Sequence, residues 1–197
     1  VNPHVRHAVK LAYAEALNHP FIRVIDNQVQ KGKGFAVRTG MLQAKGEFVF
    51  FTDADLSTPL AEVFSFMALF SLNPEVDVII GSRKHPKSSV VKKQNWFRQK
   101  MGEMFNKLVL GLAIRGIKDT QCGFKAFRKQ ACVEIFSRQT LNGFSFDVEV
   151  LMLAQSMGYK VLEAPIRWVN SPESKVRIVR DSIRMAWELT KMKRRVK

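Results

Sequence analysis

The chain is 197 residues long and 46% apolar, enough to bury the core of one ordinary domain, which excludes a disordered chain. Thirty-two Lys and Arg against 17 Asp and Glu leave a formal charge of +15, so its partner is anionic: nucleic acid, a phosphorylated small molecule or an acidic membrane surface. Cys122 and Cys132 have no Cys or His at metal-ligand spacing, which argues against zinc or a disulfide framework and is compatible with a reducing compartment. The longest apolar stretches, around 63–72 and 108–114, are too short to span a bilayer.

In chain order, Val5, Ala8, Val9, Leu11, Ala12 and Ala16 recur at helical spacing, and Asn18-His19-Pro20 stops that helix. Phe21 to Ile25 reads as a strand leaving through Asp26-Asn27. Lys31-Gly32-Lys33-Gly34 then leads into a helix with Ala36, Val37, Met41 and Ala44 inward and Gly46 as its stop. Glycines before a helix let backbone approach closely, and a helix start favours anions, so this segment is either a phosphate cradle or a flexible basic turn.

Phe48-Val49-Phe50-Phe51 is an uninterrupted run of strand formers, as in a central strand buried on both faces. It ends at Thr52-Asp53-Ala54-Asp55. The two carboxylates fall where an open α/β sheet places its ligands, just past the carboxyl end of a strand. Acids at i and i+2 can share a hard cation with substrate phosphates; equally, Asp53 and Asp55 can cap the following helix. Thr58 and Pro59 suit the N-cap and first turn of that helix, which carries Leu60, Val63, Phe64, Met67 and Phe70 and ends at Asn73-Pro74. Val76 to Ile80 is a second β-branched strand, leaving through Gly81-Ser82-Arg83. Strand, helix, strand with short links predicts a right-handed parallel crossover. Arg83 should therefore emerge on the rim that holds Asp53 and Asp55, adding a guanidinium for phosphate.

Lys84, Lys87, Lys92, Lys93, Arg98 and Lys100 follow with no acid among them, and Asn95 to Leu112 reads as an amphipathic helix. Asp119 to Lys125 crowds polar and apolar groups into a turn that propensity does not explain. Phe146 to Met157 is a further helix with Asp147 and Glu149 near its start, where acids complement the helix dipole. Val161 to Trp168 gives a last strand. From about Val176, Arg177, Arg180, Arg184, Lys191 and Arg195 form a stripe opposite Ile178, Met185, Leu189 and Met192, a helix that can lie on an anionic membrane surface or pack on its own domain.

Taken together, several of these segments resemble glycosyltransferase family 2, most closely its polyprenyl-phosphate glycosyltransferases of the dolichyl-phosphate β-glucosyltransferase type. The resemblance rests on Lys31-Gly32-Lys33-Gly34 with Ala36-Val37-Arg38, Thr52-Asp53-Ala54-Asp55, Gly81-Ser82-Arg83, Asp119-Thr120-Gln121-Cys122-Gly123-Phe124-Lys125, Phe146-Asp147-Val148-Glu149, and Trp168 with Ser174-Lys175, in family order. It implies a GT-A-like (Rossmann-like) α/β fold with a mostly parallel sheet flanked by helices over 1–170, and a basic amphipathic C-terminal helix over 171–197. The implied reaction is inverting, metal-dependent transfer of a hexose, glucose from UDP-glucose, to a polyprenyl or dolichyl phosphate at the cytosolic face of a membrane. By the resemblance Asp55 is the principal ligand of Mg2+ or Mn2+, with Asp53 beside it. Lys31, Gly34, Arg38, Arg83, Arg98 and Lys175 fall on the donor and phosphate side, and Gln121, Lys125, Asp147 and Glu149 on the acceptor side. An acceptor phosphate is already ionised at pH 7, so neither Asp147 nor Glu149 is required as a base. Family members begin with a strand and a Pro-Ala-Tyr-Asn-Glu type motif that this sequence lacks, so the chain is expected to want its first strand. A GDP-mannose donor is the nearest alternative. A basic nucleic-acid-binding module is the alternative from another class, disfavoured because the aromatics read as core and the Asp-Ala-Asp turn repels phosphate.

Overall fold

The computed structural model describes residues 20–27, 29, 31–91, 114, 116–169 and 188. The chain divides into two compact units, 1–30 and 31–197. In the first, the described residues 20–27 hold no strand, and Phe21, Ile22 and Val24 are exposed. This corrects the strand expected at Phe21 to Ile25: β propensity alone does not make a strand. The helix expected near Val5 to Leu17 lies outside the described residues.

The second unit holds the elements α1 (Lys33–Gln43), β1 (Phe48–Thr52), α2 (Glu62–Leu72), β2 (Val78–Ser82), β3 (Ser89–Val90), β4 (Phe124–Arg128), α3 (Lys129–Arg138), α4 (Phe146–Ser156), β5 (Val161–Pro165) and β6 (Arg167–Trp168). Four strands form one sheet in the order β1-β4-β2-β5, and β3 pairs with β6 separately. Three of the four strands run the same way, and β4 runs against them between β1 and β2. β1, α2 and β2 make a parallel crossover as expected: the two strands share a direction in one sheet, with Phe124 to Arg128 inserted between them. Their carboxyl ends share one rim. The fully buried centre is β2, while β1 stands at the end of the sheet among the described residues and alternates between half-buried and buried positions.

Side-chain alternation explains the two layers. Val49, Phe51, Phe127, Val78 and Ile80 face one way, into a core shared with α1, α3 and α4 through Met41, Ile135, Phe136, Phe146 and Leu151. On the other face Phe48, Phe50, Phe124, Ala126 and Ile79 meet Phe66 and Phe70 of α2. The aromatic contacts there are close: Phe48 stacks on Phe70 at 4.7 Å and Phe66 meets Phe124 edge-on at 4.9 Å.

Helix ends differ in detail from expectation. α1 stops at Gln43 with Ala44 as its cap, so Gly46 lies past the end. Ala61, with no side-chain cap, precedes α2, and Thr58 is buried instead of capping. α4 does end as expected, near Gly158 in the left-handed region at φ 80°. The basic run beyond Val91, the helix predicted over Asn95 to Leu112 and the C-terminal helix lie outside the described residues, apart from Glu188, which accepts a 2.6 Å hydrogen bond from Ser145 Oγ.

Candidate functional site

The carboxyl end of β1 delivers Asp53 to the rim, and the incoming end of β4 fixes it there. Asp53 N–H donates to Gly123 O at 3.0 Å. A Cβ on Gly123 would lie 2.0 Å from Asp53 Oδ2, so this glycine is the space the Asp53 carboxylate occupies. On the other side Lys33 Nζ meets Asp53 Oδ1 at 2.6 Å. Lys33 also reaches Asp147 Oδ2 at 3.5 Å, and Asp147 Oδ1 accepts from Lys125 Nζ at 2.5 Å. The four charges alternate in sign from surface to core: side-chain exposure falls from 37% at Asp53 through 27% at Lys33 to 5% at Asp147 and 0% at Lys125. Each buried charge has an opposite neighbour, which is the condition for keeping it ionised inside. Burial works against the charged form of Lys33, but Asp147 and then Asp53 outweigh it and hold its pKa above the usual lysine range.

Asp55 is exposed on the same turn, and one of its oxygens accepts from Ser57 N–H at 3.0 Å. This is a local turn bond and not a helix cap, because α2 begins at Glu62 behind Ala61 with no side-chain cap, which corrects the capping reading. Leu56 beside it is the non-glycine with positive φ among the described residues, at 50°. No group of three or more His, Cys, Asp or Glu that could hold a metal occurs among the described residues. A divalent cation at this turn would have to complete its shell with substrate oxygens and water, as Mg2+ does with two carboxylates and a phosphate, and the Asp53-Ala54-Asp55 oxygens fit that mode.

β2 brings Arg83 to the same rim. Its guanidinium grips Asp119 from two nitrogens, at 2.7 and 2.8 Å, and its backbone N–H adds a third bond at 2.9 Å. Asp119 N–H in turn donates to Glu163 Oε1 at 2.9 Å, and Trp168 lies under the guanidinium at 5.6 Å. Burial raises the Asp119 pKa, but the Arg83 charge and its bonds win, holding the carboxyl below the usual range. Cys122, buried next to this pair, has its thiol pushed up to about 11 by burial and by Asp119.

Several residues singled out from sequence are placed elsewhere. Gly34 N–H, expected to face phosphate, donates to Asn142 O at 2.8 Å, and its missing side chain makes room for Leu141 O and Phe146 Cβ. The glycine turn therefore seats α1 on the 139–143 loop and is no open anion cradle. Lys31 is exposed, with its ammonium 5.0 Å over the Phe35 ring. Arg38 donates to Phe136 O and Ser137 O at the end of α3, away from the phosphate role expected of it. Lys125, expected to line the acceptor side from a loop, is a buried strand residue that also donates to Cys122 O at 2.7 Å; it acts through Asp147. Glu149 accepts from Thr140 N–H, Thr140 Oγ1 and Leu141 N–H, so it ties the 140–141 loop to α4 and is not an acceptor group. Gln121 is half-buried on the turn before β4. Arg98 and Lys175 lie outside the described residues. Sequence reasoning missed Lys33, Asp119 and Gly123 as site residues, although all three stand inside the segments that carried the resemblance.

Residues 7–136 match the family described as glycosyl transferase family 2. The chain is 34% identical over 181 residues to a dolichyl-phosphate beta-glucosyltransferase of Trichomonas vaginalis, covering 90% of this chain and 53% of that protein. It is 36% identical over 183 residues to the dolichyl-phosphate beta-glucosyltransferase of Saccharomyces cerevisiae, covering 88% and 55%. The chain thus spans about half the length of the curated relatives it matches. Among solved structures, mannosyl-3-phosphoglycerate synthase from Rubrobacter xylanophilus superposes with a TM-score of 0.55 at 17% identity, over 85% of this chain and 51% of that one, a likeness of fold that identifies the α/β arrangement as GT-A-like. Sheet order, the acid turn at the rim and the extent of the match lead to one assignment: the chain belongs to glycosyl transferase family 2.

Proposed function

We propose that the protein transfers glucose from UDP-glucose to a dolichyl or related polyprenyl phosphate, with inversion, at the cytosolic face of a membrane, and that it uses Mg2+ or Mn2+. The observation that carries this reading is the acid turn: the Asp53-Ala54-Asp55 carboxylates emerge just past the carboxyl end of β1, on the rim that β2 shares. The names of the relatives supply the sugar and the lipid.

Asp53 and Asp55 would hold the cation, which when bound offsets the charge that develops on the departing diphosphate. Lys33 supplies a positive charge beside Asp53. An ionised oxygen of the acceptor phosphate attacks the anomeric carbon from the side opposite the diphosphate. The new C–O bond forms as the old one breaks, and the electron pair leaves with the diphosphate. No proton has to be removed from the acceptor, and Asp147, held between Lys33 and Lys125, has no call to be a base. Among the described residues no helix is long and apolar enough to cross a membrane; membrane contact in this proposal comes from the lipid acceptor and from the basic stripe predicted over Arg177 to Arg195.

The test is transfer of radiolabel from UDP-glucose into polyprenyl phosphate by the protein at the full length its gene encodes. Label should enter the organic phase, vanish with EDTA and return with Mn2+. Transfer indifferent to EDTA, or a preference for GDP-mannose over UDP-glucose, would contradict the proposal.

A further inference from the structure

Lys33 Nζ sits 2.6 Å from Oδ1 of Asp53, on a carboxylate that packs against Gly123. Toward Gly123 that carboxylate already fills the space a Cβ would take, with both oxygens and Cγ within 2.5 Å of the Cβ position. A divalent cation and an ammonium cannot both sit on so confined a carboxylate without strong mutual repulsion. One of them has to give way, and the ammonium is the one with a second place to go. Asp147 Oδ2 lies 3.5 Å from Lys33 Nζ, while Lys125 holds the other Asp147 oxygen and keeps this landing site in place. The Lys33 side chain is partly exposed and springs from a turn whose Gly32 is at φ 113°.

We propose that Lys33 is the resident counter-ion of Asp53, exchanged toward Asp147 when a divalent cation arrives with a nucleoside diphosphate, so that cation binding depends on the donor being present. The inference rests on the cation reading of the Asp53-Ala54-Asp55 turn and adds a competitor to it. Lys33 is a positioning residue here. It lowers the affinity of the empty site for the metal, and the diphosphate oxygens restore it. Such a device keeps the rim electrically neutral between turnovers.

Mn2+ binding followed by electron paramagnetic resonance, with Mn2+ alone and with Mn2+ plus UDP, tests this without any turnover. Lys33→Met should bind Mn2+ alone about two- to fivefold more tightly than the wild type, the scale of a partly exposed ion pair. Lys33→Arg, which keeps the charge, should retain wild-type affinity. Lys33→Gln provides the same neutral readout should the Met variant fail to fold. Neutral variants that bind Mn2+ no more tightly than the wild type overturn the proposal, as does a wild type that binds Mn2+ equally well with and without UDP. A protein that binds no Mn2+ even with UDP removes the cation reading itself, whereas normal UDP-dependent Mn2+ binding with no gain in Lys33→Met removes only the role of Lys33.

Discussion

Two ion pairs stand on the same rim and are built differently. Arg83 and Asp119 are joined by a two-pronged side-chain contact and a backbone N–H, with Glu163 behind and Trp168 beneath. Lys33 touches Asp53 through a single nitrogen, and that nitrogen is shared with Asp147. A fork of several bonds fixes geometry, and a single-point ammonium can change partners. The contrast separates scaffold from machinery: the first pair locks β2 to the turn before β4, and the second leaves a carboxylate available for exchange.

The strongest way to break the contrast is to remove the scaffold. Asp119→Ala strands a guanidinium whose partner is buried, and we expect a loss of about 3 kcal/mol of folding stability, read by urea denaturation. The same pair sets an acid limit. Asp119 has its folded pKa below the unfolded one, so its stabilisation is present above the unfolded value of about 3.9 and is lost as pH falls through the folded value. Wild type should therefore lose stability below about pH 4 along a slope that Asp119→Asn lacks. A Gly123→Ala change attacks the machinery instead. The new Cβ displaces the Asp53 carboxylate, a flexible group, so transfer activity should fall about a hundredfold while the melting temperature moves little.

Much of the rim was legible from sequence because each outgoing strand is an apolar run that ends in a charged or polar residue. Phe51 gives way to Thr52-Asp53, and Ile80 to Gly81-Ser82-Arg83, so position along the chain already fixed which end of the strand each charge occupies. β4 was not legible. Its apolar pattern is broken by Lys125, whose burial makes sense only beside Asp147, a residue 22 positions further on. Asp119 is likewise explained by Arg83, 36 positions earlier, and the role of Lys33 by a glycine turn seated on the distant 139–143 loop. Local spacing cannot report such partners. The helix α3 does carry a local signal, with Ala131, Cys132, Ile135 and Phe136 on one buried face.

A smaller effect sharpens the contrast from the side of Glu149. Glu149→Gln keeps the shape but weakens bonds to Thr140 and Leu141, so it should cost about 1.5 kcal/mol of stability and leave the transfer rate per folded molecule unchanged. Smallest of all, Cys122 and Cys132 are buried with thiols pushed up to about 11, so the folded protein should resist iodoacetamide at neutral pH until denaturant is added.

The central claim is that the acid turn after β1 binds a donor diphosphate through a shared divalent cation. Calorimetric titration of UDP into wild type and Asp55→Ala, each with and without Mn2+, measures it directly. The account predicts that Mn2+ tightens UDP binding in the wild type and has no such effect in Asp55→Ala. Equal Mn2+-dependent tightening in both proteins would contradict it.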